Sequence, residues 1–187
     1  MRNITQEEFD NLPIVNGFKE CPSNTDYSNI KNFGNYCIFG NYCRFGNGCI
    51  FGNYCIFGIN CIFGNYCRFG SDCRFGNYCT FGNDCIFGNY CRFGNDCTFA
   101  DYFAFGNDCS FEGHKSVGTY PYIYVSGLGS RIGSTTYFFN FEEGIHVRCG
   151  CFFGTIKEFK SRCKKEGKTI YLDFCKIAVK QIKEFNK

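Results

Sequence analysis

The chain has 187 residues, 17 of them Cys, and a formal net charge of +3. Its opening stretch from Met1 to Glu8 lacks the apolar core of a secretory signal, and no run is long and apolar enough to span a membrane. These features exclude the secreted disulfide scaffold that so many cysteines would otherwise suggest. We therefore expect a cytoplasmic protein with reduced thiols.

The N-terminal segment, residues 1–32, is expected to form a cap on the rest of the fold. Thr5 and Glu8 form the pattern of a capping box, which predicts a short helix from Thr5 to Asn11 that ends before Pro13. Residues 16–32 are polar and show no repeat. We expect them to be irregular and to cover a sheet edge that would otherwise be open.

A six-residue repeat fills the stretch from Phe33 to Phe111, and its commonest unit is Phe-Gly-Asn-Tyr-Cys-x. Fourteen Phe hold the first position and twelve Cys hold the fifth. Such a short fixed period predicts a solenoid. Gly and Asn tolerate a positive φ best, so we predict a corner at the second and third positions and a short strand over the other four. Alternation along that strand places Phe and Cys inside, and Tyr and the sixth residue outside.

Spacing alone does not decide between three and four strands per turn. The unit Phe33-Gly34-x-x-Cys37-x resembles the hexapeptide repeat of left-handed parallel β-helices, and the match continues through Gly106 and Cys109. That resemblance implies three strands per turn. The predicted fold is mainly β, with a three-sided left-handed parallel β-helix over residues 33–114 and a small α+β module over residues 115–187. Phe and Cys replace smaller core residues of the family.

The C-terminal module is predicted to contain three strands followed by two helices. The strands are expected from Tyr120 to Val125, from Thr135 to Phe141 and from Ile145 to Cys151. A second capping box opens a helix from Thr155 to Lys165, and apolar residues at helical spacing predict another from Tyr171 to Phe185. Gly129-Ser130-Arg131, Gly150-Cys151-Phe152 and Gly154-Thr155 resemble a module of uncharacterised bacteriophage and prophage proteins, which implies a phage origin and no particular chemistry.

Two enzyme classes are suggested by the hexapeptide resemblance. Related acyltransferases place a catalytic His on a loop beside a coenzyme A site, but this repeat contains no insertion and no His, so that only His114 at its end is a candidate base. Related carbonic anhydrases bind zinc through three His, and this chain has two. We expect no catalytic residue, no metal and no cofactor, with an acyltransferase as an alternative.

One candidate ligand site lies in the C-terminal module. Gly129, Ser130 and Arg131 resemble a phosphate loop only superficially, because the turn joins two strands and lacks the Gly-Lys-Ser/Thr ending. A glycine-rich hairpin turn is the simpler interpretation. Together with Arg148, these residues predict an alternative function, the sequestering of a small anionic, nucleotide-like signal. Cys149 and Cys151 share one strand face, where core packing is favoured over zinc binding.

Charge and apolar surface favour binding to a protein. The repeat carries four Arg against five Asp, so it is not a basic surface for nucleic acid, and the basic C-terminal helices are expected to be solvated. Tyr36, Ile38, Tyr54 and Ile56 form an outward apolar patch on the first coils, which predicts a homo-oligomer, a dimer or a trimer. We therefore expect a non-enzymatic scaffold that binds a partner through its late coils and C-terminal module.

Overall fold

The computed structural model describes residues 1–100, 104–106, 109–111, 114–115, 122–127, 135–149 and 152–185. The chain divides into two compact units, Met1–Gly113 and His114–Lys187. Among the described residues, no helix has both the length and the apolar character needed to cross a membrane.

The first unit is built from short strands and one helix. In chain order they are β1 (Arg2–Asn3), α1 (Gln6–Asp10), β2 (Ile14–Val15), β3 (Phe18–Cys21), β4 (Thr25–Asp26), β5 (Asn32–Gly34), β6 (Cys37–Phe39), β7 (Arg44–Phe45), β8 (Ile50–Phe51), β9 (Ile56–Phe57), β10 (Ile62–Phe63), β11 (Arg68–Phe69), β12 (Arg74–Phe75), β13 (Thr80–Phe81), β14 (Ile86–Phe87), β15 (Arg92–Phe93), β16 (Thr98–Phe99), β17 (Ala104–Phe105) and β18 (Ser110–Phe111).

These strands form three parallel sheets, because every third strand pairs with its counterpart one turn away. Sheet A has the order β1-β4-β7-β10-β13-β16, sheet B has β2-β3-β6-β9-β12-β15-β18, and sheet C has β5-β8-β11-β14-β17. Only the pairing of β2 with β3 is antiparallel among them. Arg68 pairs with Ile50 on one side and Ile86 on the other, a step of 18 residues. The prediction of a three-sided parallel solenoid is confirmed, and it makes about five turns.

The core is a close-packed column of Phe rings. Phe51 stacks on Phe69 one turn away, with centroids 4.8 Å apart and planes at 2°. Neighbours within a turn meet edge to face, as Phe57 and Phe63 do at 5.0 Å and 86°. Both arrangements are the ones that aromatic rings prefer. The twelve repeat Cys are buried beside the rings, as predicted.

The corner of each repeat lies elsewhere than the sequence suggests. The positive φ falls on the fourth position, which is Tyr in most repeats, as at Tyr36 (56°) and Tyr54 (60°). Most strands therefore cover only two residues, the sixth of one repeat and the first of the next. The outward placement of Tyr is confirmed, but because Tyr occupies the corner and not because it alternates along a strand.

The repeat glycine is required by close packing between coils. A Cβ on Gly70 would lie 2.6 Å from the backbone carbon of Gly52 and 2.7 Å from the backbone nitrogen of Asn53. Real Cβ atoms do not approach backbone so closely. Gly70 and most of its equivalents have an ordinary negative φ, so the glycine is needed here because it has no side chain.

Cys and Asn complete the hydrogen bonding between coils. The Sγ of Cys73 donates to the carbonyl oxygen of Gly52 at 3.4 Å, and the same bond recurs along the stack. The backbone N–H of Asn53 donates to the side-chain oxygen of Asn35 at 2.8 Å. These two side chains therefore satisfy corner groups that the short strands leave without partners.

The solenoid begins earlier than predicted. Residues 18–34 form a complete first turn, since β3, β4 and β5 pair with the strands of the next turn. Tyr27 takes a Phe position and stacks on Phe45 with centroids 5.3 Å apart. The cap is α1, whose Phe9 packs edge to face on Phe33 at 5.2 Å. Its predicted capping box between Thr5 and Glu8 is present.

The second unit has β19 (His114–Lys115), a four-stranded antiparallel sheet and two helices. The four strands of this sheet, which we call sheet D, lie side by side in chain order: β20 (Tyr122–Ser126), β21 (Thr135–Phe141), β22 (Gly144–Cys149) and β23 (Phe152–Thr155). The two helices that follow are α2 (Ile156–Lys165) and α3 (Thr169–Phe185). Both predicted helices and the box at Thr155 are confirmed. β23 was not predicted, because the predicted third strand, Ile145 to Cys151, extends past the end of β22 at Cys149.

Candidate interaction surface

The outward side chains of sheet B form one continuous column. Successive strands pair in register, so that Glu20, Ile38, Ile56, Arg74 and Arg92 follow one another, one turn apart. Neighbours in such a column are separated by the ~4.8 Å spacing of paired strands. The column is acidic at its start, apolar over two turns and basic beyond them.

An aromatic column runs beside it along the adjoining corner. Phe18 meets Tyr36 edge to face at 5.6 Å, and Tyr36 stacks on Tyr54 with centroids 5.1 Å apart and planes at 4°. Each of these two tyrosines keeps 44% of its surface exposed. The predicted interface residues therefore lie together as predicted, although Ile38 and Ile56 are half-buried rather than fully exposed.

A groove extends this surface towards the N-terminal cap. It has a volume of about 450 Å³, and it is lined by Leu12, Pro13, Glu20, Cys21, Pro22, Ser23, Ile38 and Gly40. Because Glu20 and Ile38 belong to both features, the groove and the column make one surface. We call it the sheet B surface, meaning the Glu20-to-Arg74 column, the Tyr36 and Tyr54 rings and this groove.

The other two faces of the solenoid carry no comparable stretch. On sheet A the outward residues are Asp26, Arg44, Ile62, Thr80 and Thr98, and on sheet C they are Asn32, Ile50, Arg68, Ile86 and Ala104. Isoleucines on those faces are separated by charged or polar residues. Among the described coils, two consecutive outward isoleucines beside stacked aromatic rings occur on sheet B alone.

The predicted anion site is described only at Arg148. Gly129, Ser130 and Arg131 lie outside the described residues. Arg148 is half-buried on β22, between Tyr137 and Phe153 of the neighbouring strands, and its guanidinium lies 5.3 Å from the centre of the Phe153 ring. Arg148 thus packs against sheet D, and the anion-binding hypothesis stays a prediction.

A small cavity beside α2 was not anticipated from the sequence. It has a volume of about 60 Å³, and its lining includes Cys149, Cys163 and Tyr171. Glu166 closes part of its rim by pairing with Arg162 at 2.8 Å and Lys168 at 2.6 Å. A drug-sized ligand needs ~300 Å³ or more. The cavity is therefore too small for a nucleotide.

The buried thiols are poor candidates for chemistry because the core encloses them. The direction of their pKa shifts differs along each column: hydrogen bonds from the neighbouring thiols lower the pKa of Cys55, Cys61 and Cys67 to about 4. Hydrogen bonds to the thiols above and below it, together with burial, raise the pKa of Cys73, and the same causes raise that of Cys79. Burial raises the pKa of Cys175 to about 11. A thiol held protonated is neither a nucleophile nor a metal ligand. Among the described residues, no group of three His, Cys, Asp or Glu could hold a metal ion.

His114, the candidate base of the acyltransferase alternative, lies on β19, and its side chain is not among those described. Comparisons with protein-family models, curated proteins and solved structures found no match. The resemblance of the C-terminal module to bacteriophage proteins therefore depends on its motifs alone.

Proposed function

We propose that this chain is a non-enzymatic β-solenoid interaction protein that binds protein through the sheet B surface. The observation that carries the proposal is the rigid stack of Tyr36 and Tyr54 beside the consecutive pair Ile38 and Ile56. Tyr is enriched at binding hot spots, where one large ring provides contact area at a small cost in entropy. Apolar stretches of this kind on a folded domain mark contact surfaces.

Backbone strain at the corners supports a role for Tyr beyond folding. A side chain other than Gly, Asn or Asp in the left-handed region costs ~1 kcal/mol or more. Gly48, Asn60 and Asp72 occupy the same position in other repeats, so the fold does not require Tyr there. Because the rings remain about half exposed, burial and stacking within the chain offset only part of this cost, and contact with a partner offsets more of it.

The wider setting of the proposal is a reducing compartment. Sixteen described cysteines are free and mostly buried, which suits a cytoplasm, where disulfides are rare. A phage or prophage origin, with the C-terminal module free to contact a second partner, is part of the same proposal. Neither the acyltransferase nor the anion-binding alternative gains a supporting observation from the described residues.

Site-specific photo-crosslinking tests the proposal. A benzophenone amino acid replaces Tyr54 in the full chain expressed in cells, and the same probe at Tyr78, on a different corner and 54% exposed, is the matched control. We expect a discrete protein adduct from position 54 and a much weaker one from position 78. The partner, identified by mass spectrometry, is either this chain or another protein, and both support the proposal. Equal labelling at the two positions, or none, would overturn it.

A further inference from the structure

The charges at the two ends of the sheet B column have opposite signs. Glu20 begins a run of four outward residues and Arg74 ends it, with Ile38 and Ile56 between them. Glu20 and Arg74 are exposed. Among the described side chains, the ion pairs involve other residues. When this run faces a reversed copy of itself, the acidic residue of each copy lies opposite the basic residue of the other, and the apolar residues lie opposite apolar residues.

We propose that the sheet B surface binds a second copy of this chain in the antiparallel direction. This rests on the proposed function and names its partner. The two-fold axis lies between Ile38 and Ile56, so that Ile38 of each copy packs on Ile56 of the other. One turn further out, Glu20 of each copy pairs with Arg74 of the other. Every contact then occurs twice, as two-fold symmetry requires.

Other arrangements of the same faces are less favourable. A parallel pairing sets Glu20 against Glu20 and Arg74 against Arg74, and like charges that meet across an interface are strongly repelled. Reversal of sheet C places Arg68 opposite itself, and reversal of sheet A leaves its adjacent Asp26 and Arg44 facing threonines. Among the three faces, only sheet B has two consecutive outward isoleucines flanked by opposite charges, so that one reversal matches both the apolar and the charged residues.

The size of the contact sets the expected affinity. Four strands span ~14 Å along the axis, and a face of this solenoid is roughly 20 Å wide, so each copy contributes about 300 Å² of flat area plus the Tyr36 and Tyr54 rings. Stable interfaces bury ~800 Å² per partner. We therefore expect a reversible dimer with a dissociation constant in the micromolar range, which weakens as salt screens the Glu20–Arg74 pairs.

Charge reversal tests the pairing and its register by sedimentation velocity of the full chain at tens of micromolar. Glu20→Arg and Arg74→Glu each set like charges against one another twice, so each should weaken the dimer at least about tenfold. The double variant Glu20→Arg/Arg74→Glu restores opposite charges and should restore the dimer. Arg68→Glu, an exposed arginine on sheet C and outside the contact, is the matched control and should leave the dimer unchanged. All these side chains are exposed, and circular dichroism checks that the fold is kept.

Three results would overturn the inference: a wild-type protein that stays monomeric, a double variant that is not rescued, or an Arg68→Glu variant as weak as Arg74→Glu. The first is separable from the proposed function. A monomer that still crosslinks another protein from position 54 refutes self-pairing alone, whereas a monomer with no adduct from that position refutes both.

Discussion

The rings of Tyr36 and Tyr54 lie parallel on the outside of the solenoid, 5.1 Å apart, although both residues have a left-handed backbone. The stack contributes ~0.5–1.5 kcal/mol, which offsets part of the cost of the backbone conformation. Tyr78 has the same conformation, with φ at 60°, but its neighbours in the column are Asn60 and Asp96, so it has no such compensation.

We therefore predict that one substitution has different effects on stability at two corners. Tyr78→Asn should raise the free energy of unfolding by ~0.5–1 kcal/mol, because Asn tolerates the left-handed region. Tyr54→Asn gains the same relief but loses the ring stack, so it should be neutral or destabilising. Urea denaturation of both variants checks this, and a Tyr78→Asn variant less stable than Tyr54→Asn would contradict it.

The repeat glycine gives a second prediction. Gly70→Ala should destabilise the solenoid by ~2–3 kcal/mol, because its Cβ would press on the backbone of Gly52 and Asn53. Gly48→Asn is the control: Gly48 has a positive φ of 67° and open space around it, so Asn should be tolerated there. Thermal unfolding of both variants measures the difference, and equal losses would show that backbone freedom, not close packing, selects glycine.

In the described part of the repeat, Ala100 is the exception to glycine at this position. It directly follows β16, which is the last described strand of sheet A, and it occupies the second position of its repeat. Gly70 lies in the middle of the stack, where neighbouring turns hold it on both sides.

The inside of the solenoid could be predicted from the sequence, and its corners could not. Alternation and the six-residue period place Phe and Cys in the core because both depend only on spacing. The corner was assigned to Gly and Asn by their tolerance of positive φ, but contact between coils decides the matter: the second position must be glycine to let the next backbone approach. Tyr is then left in the strained position.

The first turn was hidden because its residues differ from the repeat while filling the same positions. Tyr27 replaces Phe, and Ser23 replaces Asn by accepting a hydrogen bond from the backbone N–H of Asn41 at 3.0 Å. The interface residues were predictable, since Tyr36, Ile38, Tyr54 and Ile56 follow from column spacing. The acidic end was not, because Glu20 falls in column with them only when that hidden turn is known.

Thiol reactivity should separate one cysteine from the rest. Cys149 is the only half-buried cysteine among those described, and it lines the small cavity beside α2. In a Cys151→Ser background, native iodoacetamide labelling should modify Cys149 first and spare the twelve repeat cysteines until the chain unfolds. Peptide mapping identifies the site. Rapid labelling of repeat cysteines in the folded protein, or a mass that shows paired cysteines, would contradict the buried thiol ladder.

Burial of Cys175 predicts a loss of stability at high pH. Burial raises the pKa of this thiol from 9.0 to about 11, so the folded protein holds the proton more tightly than the unfolded chain does. The stabilisation is complete below pH 9 and falls as the pH rises towards 11. Urea denaturation at both pH values should show the decline, and Cys175→Ala should reduce its slope. An unchanged slope in that variant would assign the decline to other groups.

Light scattering at increasing concentration tests most directly whether the sheet B surface is where this protein associates. The wild-type mass should rise from 21.4 kDa towards twice that value at tens of micromolar. Ile56→Arg with Tyr54→Glu should stay at the monomer mass, while the matched pair Ile50→Arg with Tyr66→Glu, exposed on other parts of the solenoid, should associate as the wild type does. A wild-type protein that remains a monomer, or a control pair that dissociates equally, would contradict association through this surface.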